Sequence, residues 1–164
     1  MATIKPFHGV RYNMEVVGTP SRVISQPYDR VRYGLQEQYY ALSPYNVVRV
    51  IKGQERPDDD PDQPQGPNVY TRARDYYKHW RASGVLVEES QPALYVYHQT
   101  FTVDGEKRTR KGFVAAFVLS PFGEGIVLPH ERTHAGPKVD RLRLTRNRRS
   151  RSNTVFRAVV FPRN

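Results

Sequence analysis

The densest group of reactive side chains in the sequence is His130, Glu131, Arg132, Thr133 and His134. Two histidines four apart, with a glutamate between them, match the H-E-x-x-H pattern of zinc hydrolases, in which both imidazoles hold the metal from one helix face. The flanking residues oppose that reading. Pro129 precedes the group, Gly136 and Pro137 follow it, and Asp140 is the only later acidic side chain. No long helix can carry the pattern between those breaks. The first four side chains suit another chemistry. Imidazole, carboxylate, guanidinium and hydroxyl groups following a short apolar stretch offer acid/base, anion-binding and hydrogen-bonding functions together, a set fitted to a phosphorylated ligand. Structural ion pairing of Glu131 and Arg132 would account for the same residues without a ligand.

Two further segments place polar groups at the edges of elements, where clefts are lined: Pro27-Tyr28-Asp29 and Pro44-Tyr45-Asn46, the latter followed by Arg49. Asp29 is a candidate general base or metal ligand, and capping of the helix expected after it is the structural alternative. Tyr28 and Asn46 are candidate cleft-lining, ligand-binding residues, as are Arg132 and Thr133 of the first group, with Arg132 as an anion binder. Tyr76, Tyr77 and Trp80 would make a base-stacking platform, but their helical spacing is equally that of a core face. No Gly-rich phosphate loop of the G-x-x-x-x-G-K type occurs. The absence of cysteine excludes disulfides, thiolate metal sites and a cysteine nucleophile.

These groups must be positioned by a chain of 164 residues, 38% hydrophobic and 12% aromatic, with a mean hydropathy of −0.70. That is room for one domain or a piece of a larger one. No apolar run approaches the roughly 18 residues of a membrane span, and the N-terminus lacks the apolar stretch of a signal peptide, so a cytosolic protein without membrane contact is expected. Short apolar runs predict a strand at Arg22–Ser25 and another at Asn46–Ile51. Val31, Leu35, Tyr39 and Leu42 predict a helix with Asp29 at its N-cap. Residues 53–67 carry no apolar side chain and read as a solvated acidic, proline-rich loop; the aspartates lack the spacing of a calcium loop. Val69 to Trp80 predict an amphipathic helix closed by Gly84. Leu94–Val103 and Arg108–Leu119, joined across Asp104-Gly105, predict a β-hairpin, and Pro137–Thr145 a last helix. The class is α+β, with a hairpin-containing antiparallel sheet and two or three packed helices.

The net charge of +10 is unevenly distributed. Residues 138–164 hold nine Lys/Arg against one acid, which leaves residues 1–137 at only +2. A basic tail of this kind is an alternative route to function as a nucleic-acid-binding module. Six phosphate contacts from Arg146 onward would give a log–log salt slope of about −5.

Several segments in order resemble one family. They are Ile4–Asn13, Val23–Asp29, Ser43–Arg49, Tyr95-Val96-Tyr97 with Phe101, Gly112–Ala115, and Leu128–Thr133 with Lys138, Asp140, Arg141 and Leu142. Together they are similar to the prokaryotic domain-of-unknown-function 1015 family over residues 3–145. The resemblance implies a soluble protein from a family of longer chains. It carries weak pointers, through a likeness to nucleotide-handling ParB/sulfiredoxin proteins and an association with serine metabolism, towards phosphoryl chemistry. The family's characteristic positions fall on Pro27, Tyr28, Asp29, Asn46, Arg49, His130, Glu131, Arg132 and Thr133. Its members commonly lack histidine at the position of His134, which weighs against zinc. On this basis Asp29, His130 and Glu131 are the candidate catalytic residues, and Tyr28, Asn46, Arg49, Arg132 and Thr133 the candidate ligand-binding residues, with Arg49 and Arg132 as anion binders, of a phosphotransferase-like or ligand-binding protein. The sequence supplies neither a cofactor nor an oligomeric state. Residues 146–164 depart from the resemblance, and codons for Thr154–Ala158 can be chosen so that the +1 frame reads Pro-Ser-Phe-Gly-Leu, a family-like strand. The expectation is therefore an N-terminal family portion, residues 1–145, an out-of-frame tail, and an incomplete fold.

Overall fold

A computed structural model of the chain describes residues 3–32, 34–63, 65–126, 128, 134–148 and 157–160. Along the chain these form β1 (Ile4–Lys5), β2 (Val10–Tyr12), α1 (Met14–Val17), α2 (Leu35–Leu42), α3 (Val48–Ile51), α4 (Val69–Ala82), β3 (Leu86–Glu88), β4 (Tyr95–Val103), β5 (Glu106–Phe117), α5 (Ala135–Arg148) and β6 (Arg157–Val160). The fold is α+β, with antiparallel sheets and five α-helices among the described residues. None of the described helices is long and apolar enough to cross a membrane.

Contacts divide the chain into two units. The first comprises Met1–Val10, Glu88–Arg132 and Asn153–Asn164. Its centre is the hairpin of β4 and β5, paired from Tyr95↔Val114 to Val103↔Glu106. Asp104 (φ 52°) and Gly105 (φ 80°) both take the left-handed conformation that a two-residue turn of matching twist requires. β1 pairs with β5 at Ala116 and Phe117, and β6 pairs with Phe113–Ala116. Since Phe113 and Val114 face β4 as well as β6, β6 lies on the opposite edge of β5, while β1 continues on the β4 side. Four residues of the basic tail thus belong to this sheet. The N-terminal segment is held by Tyr95, whose hydroxyl accepts from Gly9 N–H at 2.7 Å and donates to the Phe7 carbonyl at 3.3 Å. A Cβ at position 9 would lie 2.4 Å from that hydroxyl oxygen, so the approach requires glycine.

The second unit comprises Arg11–Val87 and Thr133–Ser152 and contains all five helices. The expected face of α4 is its core. Trp80, 2% exposed, packs with Val17, Val23, Val50 and Val85, and its ring lies 6.0–6.3 Å from those of Tyr12, Tyr45 and Tyr76. Tyr76 and Trp80 are therefore packing residues. Tyr70, Ala73 and Leu144 form a smaller cluster where α5 meets α4. Of the three apolar residues expected to seat α5, only Leu144 is buried; Val139 and Leu142 are each 48% exposed.

Three local expectations are corrected. Residues 46–51 form a helical turn at Val48–Ile51 in place of a strand, because the Asn46 side-chain oxygen accepts Val48 N–H at 3.0 Å and starts the turn. Burial of Val48 and Val50, not sheet pairing, satisfies their apolar side chains. Arg22–Ser25 is not a strand. A 3-10 turn at Pro20–Arg22 ends there, and the Asn46 amide donates to the carbonyls of Arg22 and Ile24, both at 2.9 Å. Asp29 does not cap α2. The helix begins after Gly34 (φ 84°), whose N–H donates to the Glu37 carboxylate at 2.7 Å.

Candidate functional site

Within the second unit, a cleft of about 440 Å³ lies between the start of α2 and the segment following α3; its walls include Arg32, Gln36, Glu37, Lys52, Gln54 and Arg56. The segment 51–56 has little regular structure beyond the end of α3, so its backbone polar groups need partners from elsewhere. Side chains supply them in sequence. Arg141 Nη2 donates to the Ile51 carbonyl at 3.1 Å and Gln36 Nε2 to the Lys52 carbonyl at 2.7 Å. Arg72 Nη2 donates to the Gln54 carbonyl at 2.6 Å, while the Tyr40 hydroxyl accepts Gln54 N–H at 3.1 Å. Arg56 N–H donates to Asp59 at 2.9 Å. The loop is fixed by side chains on α2, α4, α5 and its own continuation.

The clamp on Gln54 rests on an ion pair. Arg72 grips both carboxylate oxygens of Asp59, with side chains 19% and 10% exposed respectively. This hydrogen bonding holds the Asp59 carboxyl below the ordinary aspartate range and pushes the Arg72 guanidinium up. The acidic loop is thus folded down, not merely solvated. Asn68 completes it: its Oδ1 accepts from Tyr70 and Thr71 N–H, both at 2.9 Å, capping α4, while its amide donates to the carbonyls of Asp60, Gln63 and Gly66.

Lys52 and Arg56 project from this fixed loop, and Arg32 from the opposite wall. All three are exposed, and among the described residues none of their charged groups has a hydrogen-bond or ion-pair partner. Glu37 and Glu55 bring two carboxylates to the same walls, the first engaged by Gly34. Three exposed cations, of which Arg56 is also within electrostatic reach of Asp59, against one unengaged carboxylate favour an anion.

The sequence-predicted residues fare differently. Tyr28 lies beneath the Arg141 guanidinium, 3.8 Å from ring centroid to Cζ. Arg141 in turn grips Asp140, whose other oxygen accepts from the Tyr70 hydroxyl at 3.0 Å. Burial first, then the Asp140 carboxylate, pushes that hydroxyl's pKa up. Tyr28, Asp140 and Arg141, from distant sequence segments, thereby form one clamp on Ile51, beside a small cavity of about 50 Å³ that also touches Lys52 and Glu55. Arg49 donates to the Tyr40 carbonyl at 2.8 Å, in the last turn of α2, with its Cζ 4.1 Å from the Tyr40 ring centroid and 5.6 Å from that of Tyr76. Burial raises the Tyr40 hydroxyl pKa. Asn46 is 0% exposed and its amide is fully engaged in holding the 22–24 segment. Asp29 is exposed in the turn closed by Arg30 N–H on the Pro27 carbonyl, and leads directly to Val31 and Arg32 of the cleft. His130, Glu131, Arg132 and Thr133 lie outside the described residues. His134 precedes α5 and is exposed, and no group of three His, Asp or Glu able to hold a metal occurs among the described residues.

Sequence reasoning missed Gln36, Arg72, Asp59, Lys52, Arg32 and Arg56. The spacing of Asp59 and Arg72, thirteen residues apart across a proline-rich loop, carries no periodic signal.

Fold and site define an α+β protein of two units with a polar, cation-lined cleft in the helical one. The chain belongs to the family described as Protein of unknown function (DUF1015), whose model matches residues 4–160. The match takes in residues 146–160 of the basic tail. No curated protein and no solved structure matches the chain.

Proposed function

We propose that this protein binds a small phosphorylated ligand, such as a nucleotide or sugar phosphate, in the cleft between α2 and the 51–56 loop. The observation that carries the reading is the set of unpaired cations, Arg32, Lys52 and Arg56, around a loop whose backbone is already fixed. Preformed positive charge is what a dianionic phosphate needs, since little ordering remains to oppose binding. Gln54 and Glu55 supply donors and acceptors for the remainder of the ligand. Should turnover be found, Asp29, in the turn that leads to Arg32 of the cleft, would be the candidate proton-transfer residue.

The test is isothermal titration with inorganic phosphate, pyrophosphate, nucleoside phosphates and sugar phosphates, run beside chloride. At least one phosphorylated compound should bind, and Lys52→Gln or Arg56→Gln should weaken it about tenfold each, the loss of one charge-assisted contact. Absence of binding by the whole series, or binding indifferent to both substitutions, refutes the reading.

A further inference from the structure

The hairpin of the first unit carries a second site. From Val96 to Lys111 sixteen consecutive residues are exposed, on both faces of the ribbon. Over residues 106–111, β5 pairs with β4 and with no other described strand. A strand exposed on both faces cannot be explained by covering a core. What it displays is charge: Lys107, Arg108, Arg110 and Lys111 place four cations in five residues of β5, with the carboxylates of Asp104 and Glu106 confined to the turn.

Strand geometry divides these cations evenly. Alternation puts Arg108 and Arg110 on the face shared with Tyr97 and Phe101, and Lys107 and Lys111 on the other. The Arg110 guanidinium lies 5.9 Å from the Phe101 ring centroid, and Arg108 forms only a 3.4 Å, solvent-exposed pair with Glu106. That pair contributes little and can be exchanged for another anion. The ribbon is stiffened by the Asp104-Gly105 turn and by a 3.0 Å bond between the hydroxyls of Thr100 and Thr109.

A flat anionic surface, such as a membrane, meets one face of a ribbon and leaves the cations of the other in water. A groove with a negative wall on each side engages both. The major groove of B-DNA, about 12 Å wide, admits a two-stranded ribbon and is bounded by phosphates on both sides, whereas that of an RNA duplex is too deep and narrow for side chains to read. We infer that the β4–β5 ribbon is a DNA-binding element that lies in the major groove along its β5 edge, with Arg108 and Arg110 on one phosphate backbone and Lys107 and Lys111 on the other.

The experiment is fluorescence anisotropy of the full chain with a labelled mixed-sequence DNA duplex over a salt series. Four phosphate contacts predict a log–log slope of about −3.6, so a fourfold rise in salt weakens binding about 150-fold. Arg108→Gln/Arg110→Gln and Lys107→Gln/Lys111→Gln should each halve the slope. Replacing Arg146, Arg148, Arg149 and Arg151 together by Gln should leave it unchanged, and an RNA duplex should bind more weakly. The inference is overturned if the DNA does not bind, if only one ribbon pair matters, if the tail substitutions alone abolish binding, or if RNA duplex or anionic vesicles bind as well as DNA. Phosphate titration of the cleft is unaffected by either result, so this inference and the cleft reading fail separately.

Discussion

Substituting Asp59→Asn tests whether the cleft loop is held by the ion pair to Arg72. The two side chains are 10% and 19% exposed, and the pair makes two parallel N–H···O contacts while the same guanidinium holds the Gln54 carbonyl. Hydrogen bonds to charged groups contribute about 1.5–3 kcal/mol net, and asparagine keeps one acceptor oxygen, so a loss of about 2 kcal/mol is expected at neutral pH. The pH dependence has a definite sign. The Asp59 carboxyl is depressed below its unfolded value of about 3.9, so its contribution is fully present above that pH and disappears as pH falls through the lower folded value. Wild type and Asp59→Asn should therefore differ at pH 7 and converge in acid. Trp80, the single tryptophan, is buried in the same unit and reports the transition in urea by its fluorescence. A double-mutant cycle with Arg72→Gln isolates the coupling. An equal gap at neutral and acid pH, or no coupling in the cycle, would refute the reasoning. A stable Asp59→Asn that binds phosphate as tightly as wild type would show that the loop needs no clamp.

Asn46→Ala strips three hydrogen bonds from a fully buried site and leaves the Arg22 and Ile24 carbonyls and Val48 N–H without their partner; a loss of about 3 kcal/mol or more is expected in urea denaturation. Gly105→Ala imposes a side chain at φ 80° in the hairpin turn and should cost about 1 kcal/mol, visible as faster amide exchange confined to β4 and β5.

Where periodicity and turn chemistry are local, the sequence was legible. The α4 face, its closing Gly84 and the Asp104-Gly105 hairpin depend on residues within a few positions of one another, and each stands where the pattern put it. The Asn46–Ile51 segment shows the converse. Its β-branched run favours a strand, but a single asparagine side chain bonding two residues ahead, together with burial against Val17, Val23 and Trp80, overrides that propensity. Tyr28 belongs to a cleft-edge segment and Arg141 to a segment of the family resemblance, yet their stacking could not be foreseen, because 113 positions separate them and no pairing rule spans such a distance. Composition leaves part of residues 53–67 unread, although most of the described residues there are exposed as expected. A proline-rich acidic stretch looks solvated by composition, and it takes the fold to bring Arg72 beneath Asp59 and Arg143 beside Asp62.

The arginines of the helical unit therefore need sorting by what their N–H groups already hold. Arg49, Arg72 and Arg141 each donate to a backbone carbonyl, of Tyr40, Gln54 and Ile51, and each is further occupied by a carboxylate or an aromatic ring. Moving any of them to a ligand would leave a carbonyl without its donor, at a cost comparable to what a phosphate contact returns. Arg72 and Arg141 consequently shape the loop, while Arg49 holds the end of α2 and keeps a buried Nε without a partner among the described residues. The cations left for an incoming anion are those whose backbone neighbours are pinned while their own charges are not: Lys52, following a carbonyl held by Arg141; Arg56, whose N–H is held by Asp59; and Arg32 across the cleft. The Ser43–Arg49 motif thus marks the scaffold of the site more than its contact surface, and substitutions at Arg49 and at Lys52 should separate the two, the first lowering stability and the second affinity.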